Sequence, residues 1–359
     1  MAPPLKLSES AAVHYLLERG LLTPTAIVEG NLTVADSSRR NRNLQVLSDR
    51  PPSYLLKQAA PGGGGDILAR EAAVYERLNR PAEGAPMAPF LPRCYGHDPE
   101  AGILVIDLIR DGENLVRYHG RLGRCPAPAG RAMGLVLGRL HSRVPLEPTE
   151  LAAGSRLPFV FSLVRPGRSF LQTVSFGCQA VVKALQCFPA FVDRLAELGR
   201  QWRTEAFIHG DLKWDHFLRL RTGGPMKLVD WELAGPGDPC WDVGAILAEY
   251  LTFWSGGIGP GREPSRYPIS QVQPAIRAFW KAYVGAAELT ATTAPQQLLR
   301  STRYCGARLL QNAYQQMQAG TQLTEHAVIL LQLSWNVLQR PRDAAATLFG
   351  FPLEEVGAP

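Results

Sequence analysis

The densest run of reactive side chains is His209-Gly210-Asp211-Leu212-Lys213-Trp214-Asp215-His216-Phe217-Leu218, followed by Leu228-Val229-Asp230-Trp231-Glu232. Asp211 stands in a loop ahead of the strand-like stretch FLRL, and Asp230 stands at the end of the next, MKLVDW, across a Gly-Gly turn. A hairpin built this way is expected to bring the two carboxylates together. Phosphoryl transfer uses such a pair: one carboxylate orients and deprotonates an attacking hydroxyl, and the other holds the magnesium that bridges the nucleotide phosphates. The alternative is two unrelated turn residues, since Asp is common in loops.

The elements that must carry these groups change character along the chain. Ser8 or Ser10 caps a short leader helix with apolar residues at Ala12, Val13, Leu16 and Leu17, ended by Gly20. The segments TAIVEGNLTVAD, NLQVLSD and SYLLKQA read as three consecutive antiparallel strands, separated by DSSRRNR and by a Pro51-Pro52 turn. After the glycine run Gly62 to Gly65, DILAREAAVYERLNR has helical period. PAEGAPMAPFLPRCYGHDPEAG reads as a surface connection and ILVIDLI as a buried strand. From about residue 128 most segments are helical, the FLRL and MKLVDW hairpin excepted. The expected fold class is α+β: a sheet-rich N-terminal lobe over residues 1–110, leader helix included, and a helical C-terminal lobe over 111–359.

The paired segments FIHGDLKWDHFL and KLVDWELAGPGDPCWDVGAIL resemble the catalytic segment of the aminoglycoside phosphotransferase and choline kinase group, within the two-lobed protein-kinase-like fold. The resemblance spans about residues 25 to 285. It implies an ATP-dependent kinase with Mg²⁺ as cofactor. Asp211 would be its catalytic base, Lys213 a further phosphate or acceptor contact, Asp230 the metal ligand and Asp242 the anchor of the catalytic loop. Lys57, ending the strand SYLLKQA, and Glu71, on the following helix, match the strand lysine that holds the nucleotide phosphates while paired to a helix glutamate. ILVIDLI with RDGENL resembles the hinge, where adenine would meet backbone groups near Asp107 and Ile109. His141, in LGRLHS, reads as a packing histidine rather than a catalyst.

Two departures stand out. The family's loop aspartate is followed five residues later by a metal-binding Asn, and this chain has His216 there, a nitrogen donor that magnesium disfavours. The turn between the first two strands, DSSRRNRN, lacks the glycines of a phosphate loop. Ser37, Ser38, Asn41 and Asn43 would make the turn, with Arg39, Arg40 and Arg42 either meeting phosphate or forming a solvated basic tip. These departures motivate a second reading, a pseudokinase or nucleotide-binding scaffold.

The acceptor divides the reading further. A small-molecule alcohol is the family's commonest implication. The stretch RLPFVFSLVRPGR, with Phe159, Phe161, Arg165 and Arg168, suits a peptide or an anionic acceptor better than a polycation. Kinases of this group resembling the class V lanthipeptide enzymes phosphorylate Ser or Thr of a peptide before a separate lyase partner eliminates the phosphate. The bland alternative is a core segment with two surface arginines.

Composition bounds the rest. The chain has 359 residues, 46% hydrophobic and 19% charged, with a formal charge of +6, a mild and dispersed basic bias that argues against nucleic acid as partner. Six cysteines without paired spacing argue against a zinc module or disulfide scaffold, and no long apolar run signals a membrane segment. A soluble, reduced, cytoplasmic protein is expected.

Overall fold

The computed structural model describes residues 7–38, 42–59, 65–80, 86–153, 155–257, 268–352 and 354. Arg39, Arg40 and Asn41, and Gly62 to Gly64 of the glycine run, lie outside the described residues. The chain forms two compact units. Met1–Leu115 with His216–Ala234 make the first, and Val116–Asp215 with Gly235–Pro359 the second.

In the first unit, helix α1 (Glu9–Glu18) is capped by Ser8, whose Oγ accepts from the Ala11 N–H at 3.2 Å. It buries Ala12, Tyr15 and Leu16 against Leu44, Val46, Tyr54 and Leu56. Strands β1 (Leu32–Asp36), β2 (Arg42–Ser48) and β3 (Tyr54–Gln58) are consecutive as expected, but the first is shorter than TAIVEGNLTVAD: its opening residues belong to a short helix, α2 (Pro24–Val28), started by Pro24 and capped by the Thr23 hydroxyl, which accepts from the Ala26 N–H. Helix α3 (Gly65–Leu78) follows, then β4 (Cys94–Asp98) and β5 (Ile103–Asp107). The five strands form one antiparallel sheet in the order β1-β2-β3-β5-β4.

Along β3 the period of two buries Tyr54, Leu56 and Gln58 on one face and turns Leu55 and Lys57 to the other. In β5, Ile103 to Ile106 are all buried, as a strand covered on both faces requires. The segment read as a surface connection contains β4. CYGHD carries no apolar alternation and has a register irregularity between Cys94 and Gly96, which is how an edge strand escapes a hydrophobic pattern. A second, three-stranded sheet joins β6 (Gly112–Asn114) to the hairpin Phe217–Leu220 and Lys227–Leu228. Gly223 and Gly224, at φ of 92° and 106°, make its turn.

The second unit is helical. The apolar-periodic stretch QAVVKALQCFPAFVDRLAELGRQW spans two helices, Phe176–Gln186 and Pro189–Arg200, because Pro189 cannot continue a helix and starts the next. Helix Pro239–Ser255 is buried on nearly every side, with Asp238 as its cap. Helices Ala127–Arg143 and Gln273–Ala286 pack through glycines four residues apart. A Cβ at Gly130 would stand 2.2 Å from Ala275 O, and one at Gly134 2.2 Å from Phe279 O. No disulfide joins the six cysteines, and no helix among the described residues is long and apolar enough to cross a membrane.

That close approach leaves no space for a methyl group, so Gly134→Ala is expected to destabilise the protein by about 1–3 kcal/mol, the usual cost of overpacking. Chemical denaturation checks it. An unchanged midpoint would mean that the two helices part without cost.

Candidate active site

The first unit gathers four of the residues singled out by sequence. Lys57 Nζ stands 2.7 Å from Glu71 Oε1 and 3.4 Å from Asp230 Oδ1. Glu71 reaches this position because α3 turns Leu68, Glu71, Ala72 and Tyr75 inward at helical spacing. Burial opposes the charge on Lys57, but the Glu71 and Asp230 carboxylates outweigh it and raise the pKa above its ordinary value, so the amine stays protonated. Asp230 follows the hairpin at φ of 71°, a left-handed conformation that few residue types other than Gly and Asn accept. The Val229 N–H donates to His216 O at 3.0 Å, and His216 Nε2 lies 3.2 Å from Asp230 Oδ2.

This donor set can hold magnesium in one way. Among the described residues no three ligating side chains converge. Asp230 supplies hard oxygens, and magnesium is commonly held by one or two carboxylates with phosphate oxygens and waters completing the shell. His216, the other residue expected at the metal, places Nε2 3.2 Å from Asp230 Oδ2.

Asp107 and Ile109, read as hinge residues, line a cavity of about 610 Å³ in the first unit with Tyr75, Arg93, Tyr95 and Lys227. Their backbone is partly engaged: Asp107 N donates to Arg93 O at 2.8 Å, and Gly112 N donates to Ile109 O at 3.2 Å. The Asp107 carboxylate accepts from Tyr95 OH at 3.3 Å, and burial pushes its pKa up. Ser37 and Ser38 spend their groups inside the β1–β2 turn. Ser37 N donates to Asn43 O at 2.8 Å, Ser38 N to Asp36 Oδ1 at 2.8 Å, and Asn43 N to Ser38 Oγ at 3.0 Å.

Asp211 and Lys213 belong to the second unit. Lys213 Nζ is 2.7 Å from Asp211 Oδ2, and Arg308 Nη1 is 3.2 Å from Oδ1. Helix Pro239–Ser255 fixes the loop from beneath. The Asp242 carboxylate accepts from His209 N at 2.7 Å and Gly210 N at 3.0 Å, Trp241 Nε1 donates to Gly210 O at 2.8 Å, and Glu249 accepts from Trp214 N at 3.0 Å. His141, buried between Asp242 Oδ2 at 3.2 Å and Tyr283 OH at 3.1 Å, orients Asp242 from the other side.

Residues 31–263 match the family described as the phosphotransferase enzyme family. The chain belongs to that family. It is an ATP-dependent phosphotransferase acting on hydroxyl acceptors. Solved structures share its fold. An ethanolamine kinase of Plasmodium vivax is 13% identical over 95% of this chain and 93% of its own, at a TM-score of 0.59. A choline kinase of Cryptosporidium parvum is 12% identical over 93% and 97%, also at 0.59. The GDP complex of an aminoglycoside 2'-phosphotransferase is 13% identical over 93% and 100%, at 0.51. At such identities the likeness is one of fold, here the protein-kinase-like fold with a sheet-rich and a helical lobe. No curated protein sequence matches the chain.

Sequence reasoning missed Arg308. It is 1% exposed, donates also to Leu212 O at 3.0 Å and lies over the Trp241 ring at 5.2 Å. The signal was available: an arginine set in CGARLLQNA, among residues a helix must bury, has to be a paired cation. It also missed His119, on the helix Leu115–Leu122, whose ring meets Trp214 of the loop edge-on at 4.2 Å. His119 is fully buried, neither ring nitrogen has a partner among the described residues, and burial pushes its pKa down to about 4.

Two outcomes follow from these contacts. Arg308→Lys keeps the charge but loses the fork that spans Asp211 Oδ1 and Leu212 O. It is expected to lower kcat about 10²-fold, the scale of a misplaced reacting group, with nucleotide affinity unchanged. Steady-state kinetics and nucleotide titration separate the two, and parental kcat would remove Arg308 from the site. For His119, the unfolded chain takes up a proton near pH 6.5 and the native state only near 4. Its share of stability, on the order of 3 kcal/mol, is present above about pH 6.5 and lost as pH falls towards 4. Denaturation of parent and His119→Phe across that window should give the variant the shallower slope. Parallel curves would count against it.

Proposed function

We propose that the protein transfers the γ-phosphoryl group of Mg·ATP to a hydroxyl of a small molecule. The observation that carries the reading is the Lys57, Glu71 and Asp230 cluster, a protonated amine held by two carboxylates. In this reading Lys57 meets the nucleotide phosphates, Glu71 holds Lys57 in place, and Asp230 holds magnesium, which neutralises phosphate charge when bound. His216 takes the place of the family's Asn and steadies Asp230 through Nε2. Adenine lies near Asp107 and Ile109.

Asp211 accepts the proton of the attacking hydroxyl on Oδ2 as Lys213, 30% exposed, turns from that oxygen to the transferred phosphate. Arg308 keeps Oδ1 in place meanwhile. A bond forms between the acceptor oxygen and the γ-phosphorus, the bond to the β-phosphate oxygen breaks, and ADP leaves. Serines 37 and 38 contribute by shaping the first hairpin, with the phosphates left to Lys57.

For the acceptor, the relatives of like fold are kinases of ethanolamine, choline and aminoglycosides by name, which favours a small hydroxylated molecule. Phe159 remains 41% exposed beside Phe170 and Tyr314, at ring distances of 5.8 and 5.1 Å. Tyr314 is six residues beyond Arg308 on one helix, about 9 Å along its axis. An acceptor with its hydroxyl at Asp211 could rest an apolar or aromatic part there. Phe161 is spent in the core against Trp202 and Trp241. Arg165 and Arg168 are exposed, the feature that favours a peptide acceptor with a lyase partner as the second reading.

A screen of hydroxylated small molecules and Ser/Thr peptides for ADP release coupled to a phosphorylated product tests the reading. Asp211→Asn should lower turnover about 10²- to 10⁴-fold with ATP binding retained, as loss of a general base does, whereas Asp230→Asn should weaken Mg·ATP binding. Nucleotide binding without transfer to any acceptor would return the scaffold reading. Parental turnover in Asp211→Asn would remove the base.

A further inference from the structure

The second unit has a cavity of about 550 Å³ lined by none of the residues assigned above. It opens among helices Pro189–Arg200, Thr293–Gln316 and Glu325–Gln339, at the start of Pro341–Thr347. Four arginines are among its lining residues, Arg194, Arg303, Arg340 and Arg342, against two acidic residues, Glu197 and Asp343. Only Arg194 is paired, at 3.7 Å from Glu197. Among the described residues the side chains of Arg303, Arg340 and Arg342 have no ion pair and no hydrogen bond, and Arg303 and Arg342 are half-buried. The leucine side chains at 198, 299 and 338 that share the lining are no more than 5% exposed.

Three arginines without an ion pair among the described residues on the rim of one concavity make its potential positive, which favours a bound anion. Guanidinium groups match phosphate oxygens two at a time, which a lone ammonium cannot do. The leucines offer contact to an organic body, and the volume lies within the roughly 300–1,000 Å³ of small-molecule sites. We propose that this cavity binds a small phosphorylated organic molecule, its phosphate held by Arg303, Arg340 and Arg342 and its body over the leucines. The site is separate from phosphoryl transfer and stands whether or not the acceptor is correctly assigned.

Isothermal titration of the full chain with ribose 5-phosphate and with inorganic phosphate, in parent and in Arg303→Gln/Arg342→Gln, tests it. The parent is expected to take up ribose 5-phosphate more tightly than inorganic phosphate, and the double variant to lose at least about tenfold in affinity for it, as loss of charge-assisted hydrogen bonds requires. Arg340→Gln, at an exposed position, supplies the same comparison should the double variant fold poorly. No uptake by the parent, equal affinity in parent and variants, or equal affinity for the two probes would overturn the proposal.

Discussion

A carboxylate with no exposure to water has to be satisfied completely, and Asp242 is such a carboxylate. Its partners are the backbone N–H groups of His209 and Gly210 and the ring of His141. Because those N–H groups belong to the loop that carries Asp211, the need to satisfy one buried charge determines the path of the loop. Gly210, at φ of 83°, makes the turn that this path demands, and Trp241 from the same helix closes it by donating to the Gly210 carbonyl. A helix buried on nearly every side is a rigid base for such a device, since its own backbone bonds are complete and its side chains have nowhere to move.

The same rule, that buried charge must be paired, organises the rest of the chemistry. In the first unit Lys57 sits between Glu71 and Asp230, and in the second Asp211 sits between Lys213 and Arg308. The arrangements are mirror images in charge: a cation between two anions in the first unit, and an anion between two cations in the second. The cost of burying Arg308 is met by Asp211, the Leu212 carbonyl and the Trp241 ring together. Arg300, Asp238 and Tyr304 repeat the pattern next to this loop, with Asp238 accepting from Tyr304 at 2.9 Å and standing 3.2 Å from Arg300.

Where charge is left unpaired, the structure differs in kind. Arg303, Arg340 and Arg342 line the 550 Å³ cavity beside three leucines and have no carboxylate partner among the described residues, whereas Arg194, in the same lining, has one. Pairing or dispersal of such groups is what stability alone favours, and their presence together on one cavity lining is the observation behind the proposed anion site.

The sequence by itself determined most of the local elements and singled out the charged groups that the structure brings together, Lys57 with Glu71 and Asp230, and Asp211 with Lys213. Alternation in β3 put Lys57 on the face opposite Tyr54 and Leu56, helical period put Glu71 inward, and the spacing from Asp211 to Asp230 required a hairpin, all of which are short-range consequences of backbone geometry. The tertiary structure alone decided which distant groups serve them. Arg308 lies 97 positions from Asp211 and His119 lies almost as far from Trp214, and no local period encodes either meeting. The edge strand β4 escaped for a related reason, because an edge strand is specified by its neighbour's hydrogen bonds and not by a hydrophobic pattern of its own. Ser37 and Ser38 were legible as turn formers, but only the closed hairpin decided that their N–H groups are spent within it. Local geometry needs only neighbouring residues, whereas the satisfaction of buried charge draws its partners from wherever the packed chain brings them.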